Sequence, residues 1–174
     1  PSSIGVNGAS SDSPFNAVDS AAPYDAYTES KYDAENGLKA VSQETGMEVV
    51  IIRPPLIYGA NAPGNFARFV KLANIPVPKP LGSINNKRSF VSVDNLSDFI
   101  YLCLKHPGAA NETFLVSDGE DLSTTEFLRK ISKAMGKPAM LIPFPVSTMG
   151  RLASFVGKQE LVDKLAVNLQ VNID

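Results

Sequence analysis

The sequence predicts an α/β fold, and three observations carry that prediction. Val49 to Ile52 are four consecutive branched apolar residues, followed closely by Pro54 and Pro55. Such a short, continuous run is the pattern of a strand buried on both faces, as in a parallel sheet. A helical pattern from about Asp25 to Thr45 precedes it, with Gly46 placed to end the helix in the left-handed conformation. The rest of the chain goes on alternating helical and strand patterns.

Taken in order, "SSIGVNG" (2–8) is short, small and turn-like, punctuated by Gly5 and Gly8. The Ser-, Asp-, Ala- and Pro-rich stretch after it reads as an irregular loop. In the helix at 25–45, Tyr27, Lys31, Ala34, Leu38 and Val41 fall on one side at spacings of three and four. "GNFARFVKLAN" (64–74) reads as a helix with Phe66, Phe69, Val70 and Ala73 inward. "PVPKPLGSINNKR" is a proline-rich loop, and "RSFVSV" alternates as a strand does. "DNLSDFIYLCLKH" is an amphipathic helix ended by Pro107 and Gly108, with Asp94 placed to cap it. "ETFLVSD" is a further buried strand. "STTEFLRKISKAMGK" carries a capping box, Ser123 with Glu126, and stops at Gly136. Two more helices are expected near 146–157 and 159–169.

The 174 residues, 44% of them hydrophobic, amount to one domain's worth with enough apolar side chains for a core. A net charge of −2, well mixed, argues against a nucleic-acid or membrane-surface partner. No apolar run approaches the ~18 residues of a membrane span. The single cysteine, Cys103, cannot form an internal disulfide and fits a reducing cytoplasm; it reads as a small buried hydrophobe. His106, the one histidine, reads as an exposed group at a helix end, and no Cys/His cluster suggests zinc. Arg53, closing the buried strand, is expected to make a structural ion pair.

The chain opens at Pro1 without a methionine and ends in mid-pattern, as part of something longer would. It contains no G-x-G-x-x-G fingerprint. If a dinucleotide is bound, its pyrophosphate loop is expected upstream of residue 1.

Tyr27 and Lys31 raise a question of chemistry. With five tyrosines and eleven lysines, a chance pair at this spacing occurs in about one such chain in three. The plain reading is an i,i+4 surface pair contributing a few tenths of a kcal/mol. The other is an acid/base dyad. A phenol is a poor base at neutral pH, and an ammonium one turn along favours its phenolate. Ser2 and Ser3 would supply a small hydroxyl for a proton relay.

The order "SSIGVNG", then "YTESK" 24 residues after Ser3, then "RPPLIYG" resembles the extended short-chain dehydrogenase/reductase superfamily. It is most similar to the NAD-dependent nucleotide-sugar epimerases of the UDP-glucose 4-epimerase type, whose pattern is S-S-x-x-V-Y-G, Y-G-x-S-K and R-x-x-N-x-Y-G. The resemblance covers nearly the whole chain but only the later half of such an enzyme. It implies the C-terminal portion of a doubly wound, Rossmann-like parallel sheet plus a small, mainly helical substrate-binding subdomain, without the glycine-rich βαβ unit. Residues 1–60 and about 90–118 would belong to the NAD-binding domain, and about 61–89 and 119–174 to the subdomain.

The resemblance also implies roles. Ser3 matches the catalytic Ser/Thr, Tyr27 the base, and Lys31 the lysine that supports the phenolate and binds the nicotinamide ribose. Pro54 and Pro55 lie where the chain passes the nicotinamide. Asn65 matches an asparagine on the substrate diphosphate, though it could equally cap its helix. Arg88 matches an arginine clamping that diphosphate, or could pair with a carboxylate. Pro80, Leu81 and Gly82 lie in the loop whose backbone lines the nucleotide base. Tyr58, the tyrosine of Y-G, reads as packing.

Departures are Asn7 for the tyrosine of V-Y-G, Thr28 and Glu29 after Tyr27, and Leu56 for a substrate-binding asparagine. They bear on the sugar rather than on proton transfer. The Ser-Ser form lacks the Asp-Glu pair of sugar dehydratases. The expected activity is epimerisation of a nucleotide-diphosphate sugar through a 4-keto sugar, with NAD or NADP. The rivals are a keto-sugar reductase of the same superfamily and a non-catalytic sensing module. The chain by itself is expected to be inactive, and to form a homodimer or self-associate through an unpaired sheet edge.

Overall fold

A computed structural model describes residues 1–60, 62–155, 157 and 159–173. The chain forms two compact units. The first comprises Pro1–Ala60, Ser89–Glu120 and Leu169–Asp174, the second Asn61–Arg88 and Asp121–Asn168.

The first unit is built on parallel strands. β1 (Ile51–Arg53) pairs with β4 (Thr113–Leu115), with Ile52 opposite Phe114. β2 (Leu56–Tyr58) pairs with β3 (Phe90–Ser92), with Ile57 opposite Val91. The opposite edge of β1 is also covered. The Ser2 N–H donates to the Ile52 carbonyl at 2.7 Å and the Ile4 N–H to the Pro54 carbonyl at 3.0 Å. The all-buried pattern of β1 is that of an interior strand. Pro54 and Pro55 do not end extended structure here. The chain leaves β4 at Arg53, crosses the two prolines and resumes at once as β2 on a different partner. Lacking N–H groups, the prolines suit that change of partner.

α1 (Ala26–Thr45) begins with a capping box. Asp25 accepts from the Thr28 N–H at 2.8 Å, and the Thr28 hydroxyl accepts from the Asp25 N–H at 3.1 Å. It ends at Gly46, φ 72°. The stripe marked by the sequence is not its packed side: Tyr27, Leu38 and Val41 are exposed, and the buried side chains are Thr28 and Glu35. Those two are seven residues apart and share a face about 100° round from Tyr27.

α3 (Val93–Cys103) is capped by Ser92, whose hydroxyl accepts from the Asn95 N–H at 3.1 Å. Asp94, expected as the cap, stands inside the first turn, where its charge suits the helix dipole. Cys103 is half-buried against a cluster of Ile52, Val91, Leu96 and Val116. A second cluster joins Ile4, Phe15, Leu115 and Val171.

In the second unit α2 (Asn65–Asn74) packs on α4 (Thr124–Ala134), with Phe69 edge-on to Phe127 at 5.4 Å. Ser123 and Glu126 form the expected capping box. The proline-rich loop is pinned to residues 140–142: Lys79 donates to the Met140 carbonyl and accepts from the Ile142 N–H, both at 2.8 Å. α5 (Val146–Phe155) and α6 (Gln159–Ala166) complete the unit. No helix of the described residues is long and apolar enough to cross a membrane, and no cluster of His, Cys, Asp and Glu among them could hold a metal.

Candidate active site

Ser3 sits at the end of the segment paired to β1. Its extended backbone, φ −152°, opens a 3-10 turn over Ile4–Val6, and its Oγ accepts from the Gly5 N–H at 3.2 Å. The hydroxyl proton is left for another acceptor. This turn lies hard against the start of α1. A Cβ at Gly5 would stand 2.5 Å from Thr28 Cγ2, so only glycine allows the approach.

Tyr27 follows in the first turn of α1, 58% exposed. Lys31, one turn on, carries its Nζ 5.7 Å from the Tyr27 ring centroid, within cation–π range. The helix N-terminus adds positive potential at the tyrosine. Among the described residues neither the Tyr27 hydroxyl nor the Lys31 ammonium makes a hydrogen bond. A phenol and an ammonium, uncommitted and one turn apart, suit a ribose hydroxyl and a sugar hydroxyl. On that observation the residues present fit a nicotinamide cofactor. Pro54 and Pro55 are buried in the same unit between β1 and β2.

Two residues that sequence reasoning passed over as functional support the arrangement. Glu35, one turn beyond Lys31, is buried and receives two bonds from Arg53, Nε to Oε1 at 2.9 Å and Nη2 to Oε2 at 2.6 Å. Arg53 therefore makes the expected ion pair. Burial, the largest single influence, pushes the Glu35 carboxyl up; the hydrogen bonds from Arg53, the Ser2 hydroxyl and the charges of Arg53 and Lys39 together outweigh it and leave it below 4.5. Asn7, the departure from the tyrosine of V-Y-G, is buried; its Oδ1 accepts from Arg53 Nη1 at 3.0 Å. An arginine closing a buried apolar run needs an anion, and that signal points to a carboxylate such as Glu35 without saying which.

Tyr58 does more than pack. Its hydroxyl donates to the Asp118 carboxylate at 2.6 Å, and that carboxylate also accepts from the Ser92 N–H and from Asn95. The bond to Asp118, with burial behind it, pushes the phenol up to about 12.

The remaining candidates lie in the second unit. Asn65 is exposed in the first turn of α2. It does not cap that helix, which starts from Gly64 at φ 76°, and its Oδ1 accepts from Arg68 at 3.4 Å. Arg88 pairs with Leu122 through its N–H and carbonyl, at 3.0 and 2.9 Å, and donates from Nη1 to the Lys164 carbonyl at 2.7 Å. Asn86 organises this corner, donating to the Leu165 and Val167 carbonyls and accepting from the Thr124 N–H. In the 80–82 loop Pro80 is exposed and Leu81 buried. The Gly82 N–H is taken by Ile142 and the Leu81 carbonyl by Thr125.

Comparison with known proteins gives the family. Residues 1–117 match the family model described as "NAD dependent epimerase/dehydratase family". The chain belongs to that family. It is 45% identical over 175 aligned residues to the UDP-glucose 4-epimerase of Vibrio cholerae, covering 99% of this chain and 53% of that protein. It is 27% identical, over 83% of this chain and 46% of the relative, to the N-acetyl-alpha-D-glucosaminyl-diphospho-ditrans,octacis-undecaprenol 4-epimerase of Escherichia coli O157:H7. The chain thus spans about half the length of the curated relatives it matches. The fold is shared with solved 4-epimerases. The UDP-glucuronic acid 4-epimerase of Bacillus cereus, solved with NAD, superposes with a TM-score of 0.71 at 20% identity, over 83% of this chain and 47% of that one. The UDP-glucose 4-epimerase of Thermotoga maritima, solved with UDP-glucose, gives 0.71 at 18% identity, over 99% and 53%. The chain therefore carries part of a Rossmann-like α/β fold of an NAD-dependent family.

Proposed function

We propose that this chain forms part of an epimerase that inverts the C4 hydroxyl of a UDP-sugar. The observation that carries the reading is the pair of uncommitted polar groups, Tyr27 and Lys31, beside the Ser3 turn. Similarity to the Vibrio cholerae enzyme supports the choice of reaction and of nucleotide.

When bound, NAD supplies the hydride-accepting and hydride-returning chemistry. Tyr27, as phenolate, takes the proton of the sugar hydroxyl, directly or through Ser3. Lys31 stabilises the phenolate and holds the nicotinamide ribose. Loss of that proton with a C4 hydride leaves a ketone at C4 of the sugar. After the ketone turns over, Tyr27 returns the proton while hydride comes back to the other face, and no net redox occurs. Pro54 and Pro55 would border the nicotinamide. In the second unit, Asn65 and Arg88 would bind the diphosphate, and the Pro80–Gly82 backbone would lie beside the base.

The test, made on the full-length enzyme of which this chain forms part, is interconversion of UDP-glucose and its C4 epimer with NAD present. Expected is conversion without net change at the nicotinamide band, and its loss in Tyr27→Phe with sugar-nucleotide binding retained. Full activity in Tyr27→Phe overturns the role of Tyr27. A stoichiometric nicotinamide change overturns epimerisation in favour of a keto-sugar reductase.

A further inference from the structure

The proposed chemistry needs two things held against each other, the Ser3 turn and the Tyr27–Lys31 face of α1. A single buried guanidinium touches both of their supports. Arg53 gives Nε and Nη2 to Glu35, which stands one turn past Lys31 and two turns past Tyr27. It gives Nη1 to Asn7, the residue that closes the Ser3 turn; the Asn7 N–H bonds to the Ile4 carbonyl at 2.9 Å. Asn7 passes the connection on, its Nδ2 donating to the Asn16 carbonyl at 3.1 Å in the loop that leads toward α1. Arg53 itself is fixed by β1.

We infer that Arg53 is a positioning residue for the catalytic set, holding α1 through Glu35 and the Ser3 turn through Asn7. The inference rests on the reading of Ser3, Tyr27 and Lys31 given above. Apolar packing alone would fix how far α1 stands from the sheet. Two directional bonds from a planar fork also fix the rotation of α1 about its axis, and so where Tyr27 points. A tyrosine at position 7 presents no side-chain carbonyl to Arg53. The three-way junction is therefore a property of the asparagine.

Asn7→Ala removes one bond and leaves the ion pair, so that variant is expected to fold. Amide hydrogen exchange on the whole chain is the first readout. Exchange should quicken at residues 4–7 and in the first turn of α1, and stay unchanged in α4. In the active enzyme kcat should fall about tenfold or more with KM for the sugar nucleotide within twofold. Asn7→Asp keeps an acceptor for Nη1 but sets a carboxylate oxygen against the Asn16 carbonyl, so it should recover only part of the loss, and Arg53→Lys, which cannot reach both partners at once, should recover none. Unchanged exchange at residues 4–7, or kcat unchanged in folded Asn7→Ala, overturns the inference. An inactive unsubstituted full-length enzyme would fail the reading of function instead, and the exchange measurement would still decide the junction.

Discussion

The α-carbon of Gly5 lies so close to Thr28 that a methyl group built on it would stand 2.5 Å from the threonine Cγ2. Real Cβ atoms do not tolerate that distance, so Gly5→Ala must push the Ser3 turn away from α1. Overpacking of this kind costs about 1–3 kcal/mol. Thr28→Ser deletes the offending methyl and keeps the hydroxyl that completes the capping box. The double variant is expected to recover the melting temperature lost by Gly5→Ala. A Gly5→Ala protein as stable as the parent would refute the close contact.

Glu35 gives the fold an acid limit. Its folded-state value is depressed below 4.5 because the bonds and charge of Arg53, with Ser2 and Lys39, together outweigh burial. Its contribution is therefore present above pH 4.5 and is lost as pH falls through the lower, folded value. Glu35→Gln should flatten the fall of melting temperature below pH 4.5. Glu35→Ala, which strands a buried guanidinium, should cost about 3–5 kcal/mol in denaturant unfolding at pH 7. A Glu35→Gln protein with an unaltered acid slope counts against this.

Tyr58 does the same at the alkaline end. Its phenol is raised from 10 to about 12, first by the Asp118 bond and then by burial. The stabilisation is whole below pH 10 and disappears as pH rises through 12. Tyr58→Phe should be less stable at pH 8 and lose less between pH 10 and 12. Spectroscopic titration should find one tyrosine that ionises about two units late, absent from the variant.

Asn86 offers a test of the second unit. Its amide gives two N–H bonds, at 3.2 and 2.8 Å, to the Leu165 and Val167 carbonyls at the end of α6, and its oxygen receives the Thr124 N–H. Asn86→Asp replaces that donor with a carboxylate oxygen facing two carbonyl oxygens. It should destabilise at least as much as Asn86→Ala, about 2 kcal/mol or more. A harmless Asn86→Asp would mean that the amide is oriented the other way.

Much of the fold was legible in the sequence because local signals are strong there. The capping box at Ser123, the stop at Gly46 and the buried run ending at Arg53 each have a local cause. The face of α1 was not legible. Tyr27, Leu38 and Val41 form the better apolar stripe, yet Thr28 and Glu35 are buried, because Glu35 answers a charge 18 residues away. β2 hid behind two prolines, which end one pairing and begin another. For Ser3, Tyr27 and Lys31, order and spacing suggested the set, while the glycine contact that brings their elements together depends on a threonine far along the chain.

The two units are interleaved, and the chain crosses between them four times. Phe15 pairs with Val171, and Asn172 bonds to Asn16 across 156 residues. During synthesis, then, the first unit waits. Ile4, Phe15 and Leu115 leave the ribosome long before Val171, the last member of their cluster. Until residues 169–173 emerge, that apolar surface lies open, and it is the surface a chaperone would meet.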